Sequence, residues 1–358
     1  MNKQRLFVDV HAIQTVPPSN INRDDTGSPK TALYGGVRRA RVSSQAWKRA
    51  IRLYFNEHNG STNVGVRTKQ VVDFVVEKMM NLDPDISEKE ATDLVTKTFN
   101  RLDIKTNLVD DRMKTQVLLF LGDAQAKALA EAALSGVKDK KKLQAVLKEN
   151  PAVDIALFGR MVAKVPSLKE EASCQVAHAI STHGVQTEFD FFTAVDDMAP
   201  EDNAGAGMLG TVEYNSSTLY RYGNIAAHEL LKQLGDKEQV IRSICLFVES
   251  FVNAMPTGKI NTFGNQTLPQ ALVVVLREDR PVNLVSAYEE PVHSVSGYVK
   301  PSIEKLFNEM EKAEVFVQPP KAVLYLNVDD SNGPEAGKRE NLNDLLESLK
   351  TSLEQAID

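Results

Sequence analysis

The chain has 358 residues, 42% of them hydrophobic and 25% charged, which is the make-up of an ordinary globular protein of two or three domains. Its formal net charge of -6 and isoelectric point near 5.7 exclude indiscriminate binding to polyanions, because the field of the whole molecule repels phosphate. Two cysteines, Cys174 and Cys245, exclude a disulfide framework. Apolar runs no longer than ALVVVL (271–276), and no signal-like apolar segment in MNKQRLFVDVHAI, lead to the expectation of a cytoplasmic protein without membrane contact.

In chain order, RLFVDVHAI (5–13) reads as a first strand, and QTVPPSNINRDDTGSPKTALYGG as a long loop dense in Pro, Asn, Asp and Gly. Ser43 and Ser44 then offer an N-cap for a helix reaching about Phe55. From Thr68 to about Ala163 the pattern is mostly helical, with three- and four-residue apolar spacing in DAQAKALAEAAL (123–134) and KKLQAVLKEN (141–150). Strand character returns at 176–185 and 189–195. The Gly-rich excursion that follows, up to LYRYGNI (219–225), reads as a long hairpin arm. A helix (239–255), a buried strand (271–276), a helix (300–313), a linker (DDSNGPEAGKRE) and an amphipathic helix carrying Leu342, Leu345, Leu346, Leu349 and Leu353 complete the chain. Strands at both ends around a helical insertion indicate an α+β fold.

The charge distribution is more informative than its sum. Thr26 to Asn56 contains no Asp or Glu but seven cations: Lys30, Arg38, Arg39, Arg41, Lys48, Arg49 and Arg52. On the helix, Trp47, Ala50, Ile51 and Tyr54 make one stripe, while Gln45, Lys48, Arg49 and Arg52 make another, two residues out of phase. One reading is a solvated face with partners elsewhere; the other is a polyanion laid along it, aided by backbone donors at Gly35, Gly36 and the helix N-terminus at Ser43–Gln45. Lys138, Lys140, Lys141, Lys142 and Lys148 form a second basic cluster, read either as solvated surface or as a weak duplex-facing patch.

Other motifs carry less. GAGMLG (205–210) matches GxGxxG but lacks the strand before and helix after that a dinucleotide site needs. His178 and His183 have no Cys or carboxylate at metal-ligand spacing and read as structural histidines. Asp24 and Asp25 are the one carboxylate pair beside the basic stretch. They read as turn chemistry, with a metal site for phosphodiester cleavage as the alternative.

NRDD...GGVRRARVSSQAWKRAIR closely resembles the signature of the CasC family, the backbone subunit of the type I-E CRISPR surveillance complex, Cascade, within a Cas-seven superfamily of RRM-like proteins. The resemblance continues colinearly through ALFGRMVAKVP (156–166), CQVAHAISTHGVQTEFDFFTAVDDM (174–198) and LGTVEYNSSTLYRYGNI (209–225). It implies an RRM-like (ferredoxin-like) palm (1–58, 165–190 and 224–358), helical fingers (59–164) and a hairpin thumb (191–223). Copies would line up head to tail along CRISPR RNA, beside other Cascade subunits, and meet target DNA through guide pairing. It further implies that Arg23, Lys30, Ser43, Gln45, Lys48 and Arg49 grip the RNA backbone, with Arg41 and Arg52 on the same basic surface. Met161 would wedge against the strand, and Phe192 and Thr193 would lie near a displaced base. Lys138, Lys140, Lys141 and Lys142 would meet DNA. No cofactor, metal or catalytic residue is implied, although related type III backbone subunits cut RNA, which keeps Asp24 and Asp25 open as an alternative. The thumb tip, APEDNAGAGM, departs in composition from relatives.

Overall fold

The computed structural model describes residues 5–58, 60, 63–161, 165–195, 198, 205–328 and 337–357, with side chains omitted at 195 and 205–208. The hairpin tip (199–204) and most of the linker (329–336) lie outside the described residues. The elements are β1 (Phe7–Ser19), β2 (Thr31–Tyr34), β3 (Val37–Val42), α1 (Ser44–His58), β4 (Gly65–Thr68), α2 (Val71–Leu82), α3 (Glu88–Arg101), β5 (Thr106–Val109), β6 (Arg112–Thr115), β7 (Leu119–Gly122), α4 (Asp123–Leu134), α5 (Lys140–Val146) and α6 (Val153–Phe158). They continue with β8 (Cys174–Val176), β9 (Ala179–Ser181), β10 (Glu188–Val195), β11 (Gly205–Ala226), α7 (Ala227–Leu234), α8 (Lys237–Asn253), α9 (Ile260–Phe263), β12 (Ala271–Arg277), α10 (Val299–Ala313), β13 (Ala322–Asn327) and α11 (Leu342–Ala356). This is the α+β class expected from the sequence. Among the described residues no helix is long and apolar enough to cross a membrane.

Two compact units emerge. The first gathers residues up to Tyr54, Val176–Asn224 and Phe247–Ala356 around a sheet of order β13-β12-β1-β11-β9-β3-β2. The pairs β1·β12, β12·β13, β9·β11, β3·β9, β2·β3 and β10·β11 are all antiparallel. β1 sits centrally, buried at almost every position. That burial on both faces is why its alternation is weak in sequence. On one face Ile13, Val273, Val275, Tyr220 and Tyr222 pack against Ile303, Leu306, Phe307 and Met310 of α10. Burying these apolar side chains is worth about 1.5–3 kcal/mol each, so this layer is a principal source of the unit's stability.

β1 also runs six residues beyond the expected end, through Pro17 and Pro18 to Ser19, and β2 forms inside what reads as loop. Proline cannot donate to a ladder, so it reads as a strand breaker, yet it is tolerated where no partner needs the N–H. Gly35 and Gly36 turn the β2–β3 hairpin with φ of 57° and 77°, the positive values that a two-residue hairpin turn favours. A Cβ on Gly35 would lie 1.6 Å from the Glu289 carbonyl oxygen. Both glycines therefore serve the turn, and Gly35 also serves a close backbone approach to Glu289.

The second unit gathers Phe55–Gln175 and Ile225–Leu246. α2, α3 and α4 enclose a core of Val72, Val75, Met79, Val95, Phe99, Leu121 and Leu129. Two small sheets, β4·β7 and β5·β6, interrupt the helices. Each of these strands is four residues long, too short for a period-2 pattern to show.

Candidate functional site

In the first unit, Ser43 closes the N-terminus of α1. Its Oγ accepts the Ala46 N–H at 3.4 Å, and its own N–H donates to Asn22 Oδ1 at 2.8 Å. The Ser43 amide is thus spent on the protein, leaving Ser44 and Gln45 in the unsatisfied first turn. Behind the helix, Trp47, Ala50 and Ile51 are buried, whereas Gln45 and Arg49 are exposed and Lys48 and Arg52 half-buried. The stripe read from spacing is the stripe that packs.

Two recesses flank the helix start. Arg23, Arg49 and Lys259 line one of about 290 Å³, floored by Ile21, Leu53, Met255 and Pro256. Lys259 was not read from the sequence. It follows Gly258, where a Cβ would meet the Ile21 carbonyl oxygen at 2.3 Å, and it adopts φ of 48° itself. That tight backbone contact aims a lysine beside Arg23. The only sequence signal was PTGK in a Pro/Gly-rich loop. Lys30 and Arg41 line the other, smaller recess together with Asn22 and Asn215. Arg41 Nε donates to the Thr31 carbonyl at 3.1 Å. Arg23, Lys30, Arg41, Ser43, Gln45, Lys48, Arg49 and Arg52 therefore share one region of one unit, without an acid from Thr26 to Asn56.

Not every cation of the acid-free run belongs there. Arg39 is fully buried and donates to the carbonyls of Tyr34, Ser181 and Tyr288 at 3.1, 3.1 and 2.8 Å. Burial lowers its pKa, and it works as a structural staple. Arg221, missed in the sequence, lies beneath α1. Its guanidinium stacks 3.7 Å from the Trp47 ring and 4.2 Å from that of Phe251, and Nη1 donates to Gln14 Oε1. Burial lowers it to about 9.

Asp24 Oδ1 accepts from Thr26 N at 2.9 Å, Thr26 Oγ1 at 2.7 Å and Ser28 N at 3.0 Å. Those hydrogen bonds hold its pKa below the usual carboxylate value, and the residue closes its own turn. Asp25 is exposed beside it. Among the described residues no group of three or more His, Cys, Asp or Glu could hold a metal ion. His183 is structural: it stacks on Tyr298 at 3.7 Å, accepts the Thr218 N–H at Nε2, and thus carries its proton on Nδ1, toward the Gly184 carbonyl. GAGMLG lies on strand β11, with no helix following the glycines.

The hairpin β10·β11 presents Phe189, Phe191 and Thr193 on one face, all exposed. Phe192 points to the other, with its ring over Gly210, the cross-strand partner; a Cβ there would sit 2.3 Å from its Cζ. In the second unit, Met161 is 82% exposed. Its neighbour Arg160 is buried and donates to the carbonyls of Leu168, Phe120 and Leu147 at 2.9, 3.3 and 2.8 Å. A rigid anchor thus holds an exposed apolar side chain in water. Lys138, Lys140, Lys141 and Lys142 are exposed around the N-terminus of α5, which Asp139 caps, and Lys140 pairs with Asp103.

A family model described as CT1975-like protein matches residues 8–352. The chain belongs to that family. Among solved structures, a chain of a "CRISPR RNA-guided surveillance complex, pre-nicking" is similar at 30% identity and a TM-score of 0.83, covering 97% of this chain and 100% of that one. A chain of a "CRISPR RNA-guided surveillance complex" is similar at 26% identity and 0.75, covering 97% and 99%. No curated protein gives a match. The likeness to family and structures spans both units, so the basic region and the exposed Met161 lie within the shared fold.

Proposed function

We propose that this CT1975-like chain is a non-catalytic backbone subunit of a cytoplasmic CRISPR RNA-guided surveillance complex, of the type I-E, CasC kind. It oligomerises head to tail along CRISPR RNA with other Cascade subunits and presents spacer bases to target DNA. The observation that carries the reading is the gathering of Arg23, Lys30, Arg41, Lys48, Arg49 and Arg52 around the start of α1 in a chain of net charge -6. Similarity to chains of surveillance complexes over 97% of the length supports it. The RRM-like palm, fingers and thumb follow from the same resemblance.

The chemistry suits a guide of any sequence. Lysine and arginine hold phosphates without reading bases, and specificity is left to pairing. Met161 and Phe192 act as apolar wedges, whose unstacking cost of a few kcal/mol per step is offset by backbone contacts. The exposed lysines around α5 sit at the positive end of a short helix, where cations are not favoured, and only Lys140 has an ion-pair partner among the described residues. A patch kept there suits an anionic partner such as target DNA.

The test is RNA binding by Lys48→Ala/Arg49→Ala. Affinity should fall for all spacer sequences alike, and the salt slope should lessen by about 1.4, or ~0.7 for each lost phosphate contact on a single strand. A changed preference among sequences would overturn the backbone-grip reading. Incubated with complementary RNA and Mg²⁺, guide-loaded protein should leave the target intact. Cleavage abolished by Asp24→Ala or Asp25→Ala would overturn the non-catalytic assignment.

A further inference from the structure

The smaller recess holds chemistry that neither charge counting nor helical phase pointed to. It has room for about 20 Å³, enough for one water or one phosphate oxygen. Lys30 and Arg41 form one side, and Asn215 lines it too. Asn215 is only 7% exposed, and its Nδ2 finds no acceptor within the protein. A buried amide donor left unpaired costs about 1–3 kcal/mol, so a recess that sets this donor beside Lys30 and Arg41 around an oxygen-sized space calls for an acceptor from outside.

The recess also has a latch. Arg41 Nη1 lies 3.1 Å from His178 Nδ1. Arginine has only donors, so Nδ1 must accept, which places the imidazole proton on Nε2 and leaves the ring neutral. The charged groups acting on His178 are Arg41, on β3, and Lys30, in the loop before β2; no carboxylate counters them. Partial desolvation by its neighbours and the two cations keep its pKa below the ordinary histidine value, although the side chain is largely exposed. Strand pairing brings these residues together, because Arg41 registers with Ile180, two residues beyond His178.

We propose that this recess takes one oxygen of an RNA backbone phosphate, with Asn215 as a donor and His178 as a proton-coupled latch. While the recess is empty, His178 holds Arg41. When the phosphate enters, His178 gains a proton from solvent on Nδ1, cannot accept from Arg41, and frees that guanidinium for the phosphate. The added negative charge offsets the repulsion that keeps the imidazole neutral in the free protein. The contact is to backbone alone, so it is blind to sequence. The inference rests on the RNA-binding reading above and adds two residues and a proton to it.

The experiment is calorimetric titration of the full chain with single-stranded oligouridylate at pH 7, in buffers of different ionisation heat. Wild type should take up part of a proton on binding, and His178→Gln, which can still accept from Arg41 but cannot be protonated, should take up none. Between pH 8 and 6, wild-type affinity should rise by up to about tenfold per pH unit, while His178→Gln stays flat over the same range. Asn215→Leu should weaken binding several-fold at every pH yet leave the proton uptake. If wild type binds RNA without proton uptake, or with the same uptake as His178→Gln, the latch is wrong and the backbone reading stands. If wild type binds no RNA at all, the functional reading itself fails.

Discussion

Arg221 offers the sharpest test of how the basic helix is held from behind. It is 1% exposed, and among the described residues it has no carboxylate partner and its Nε and Nη2 find no acceptor. A pKa lowered from 12.5 to about 9 corresponds to roughly 5 kcal/mol against the charged form. Two desolvated cation–π contacts at about 2 kcal/mol each, and a charge-assisted hydrogen bond to Gln14 at about 1.5–3 kcal/mol, match or slightly exceed that cost. The guanidinium therefore about breaks even, and what it contributes is shape: a flat plate between Trp47 and Phe251. Arg221→Met keeps the length, removes the charge and strands only Gln14 Oε1, so it should cost about 1–3 kcal/mol. Arg221→Lys keeps the charge but loses the planar stack and brings a more strongly hydrated ammonium, so it should cost more than methionine does. Arg221→Ala adds a cavity beneath α1 and should cost about 3–5 kcal/mol. Urea midpoints at pH 7 with unchanged m-values measure all three. If lysine is tolerated better than methionine, the site requires charge rather than a plate, and the reasoning is wrong.

Other outcomes follow from single contacts. Gly36→Ala should cost about 1–2 kcal/mol for its positive φ alone, whereas Gly35→Ala, which drives a Cβ into the Glu289 carbonyl, should cost clearly more in urea denaturation. Met161→Ala should leave stability within about 0.5 kcal/mol while weakening RNA binding; Arg160→Met, which strands the Leu147 and Leu168 carbonyls, should destabilise by about 3 kcal/mol or more. Burial and Arg277 hold His11 down at about 3, so its neutral form loses stability for the fold as pH falls below about 6.5; burial pushes Asp9 up to about 6, so Asp9 adds stability as pH falls from about 6 toward 4. From pH 6 to 4 the two changes are each worth about 2–2.5 kcal/mol and largely cancel; Asp9→Asn should expose the loss, and equal urea-midpoint changes in variant and wild type would refute the pairing.

How much was legible depended on whether the signal was local. The phase of α1 was readable because Trp47, Ala50 and Ile51 recur at helical spacing, and packing kept that phase. The end of β1 was not, because Pro17-Pro18 carries a local loop signal that tertiary pairing overrides. Lys259 joins Arg23 and Arg49 only through a backbone approach at Gly258, and His178 meets Arg41 across 137 residues of sequence. Contacts of that kind leave no periodic trace. His178 nonetheless stood out beside His183. Sequence treated the two alike, and the fold separates them: one is stacked on Tyr298 with both ring nitrogens engaged inside, the other sits exposed among cations.

The same separation governs the arginines, and it explains how an acidic chain supports a basic surface. Arg39, Arg160 and Arg221 are buried, and their guanidinium groups donate to carbonyls or side-chain amides where a single cap could not reach so many acceptors. Such residues are indistinguishable in sequence from surface charge, since arginine is rarely found inside. Counting them inflates the apparent interface. Removing Arg39 from the seven cations of the acid-free run leaves Lys30, Arg38, Arg41, Lys48, Arg49 and Arg52 outside the core, and the fold restores Arg23 and Lys259 from other segments. The working surface is therefore assembled by tertiary structure rather than by one stretch. A reversal of charge at Lys259 should impair RNA binding as a reversal at Arg49 does, although the two lie 210 residues apart in the chain.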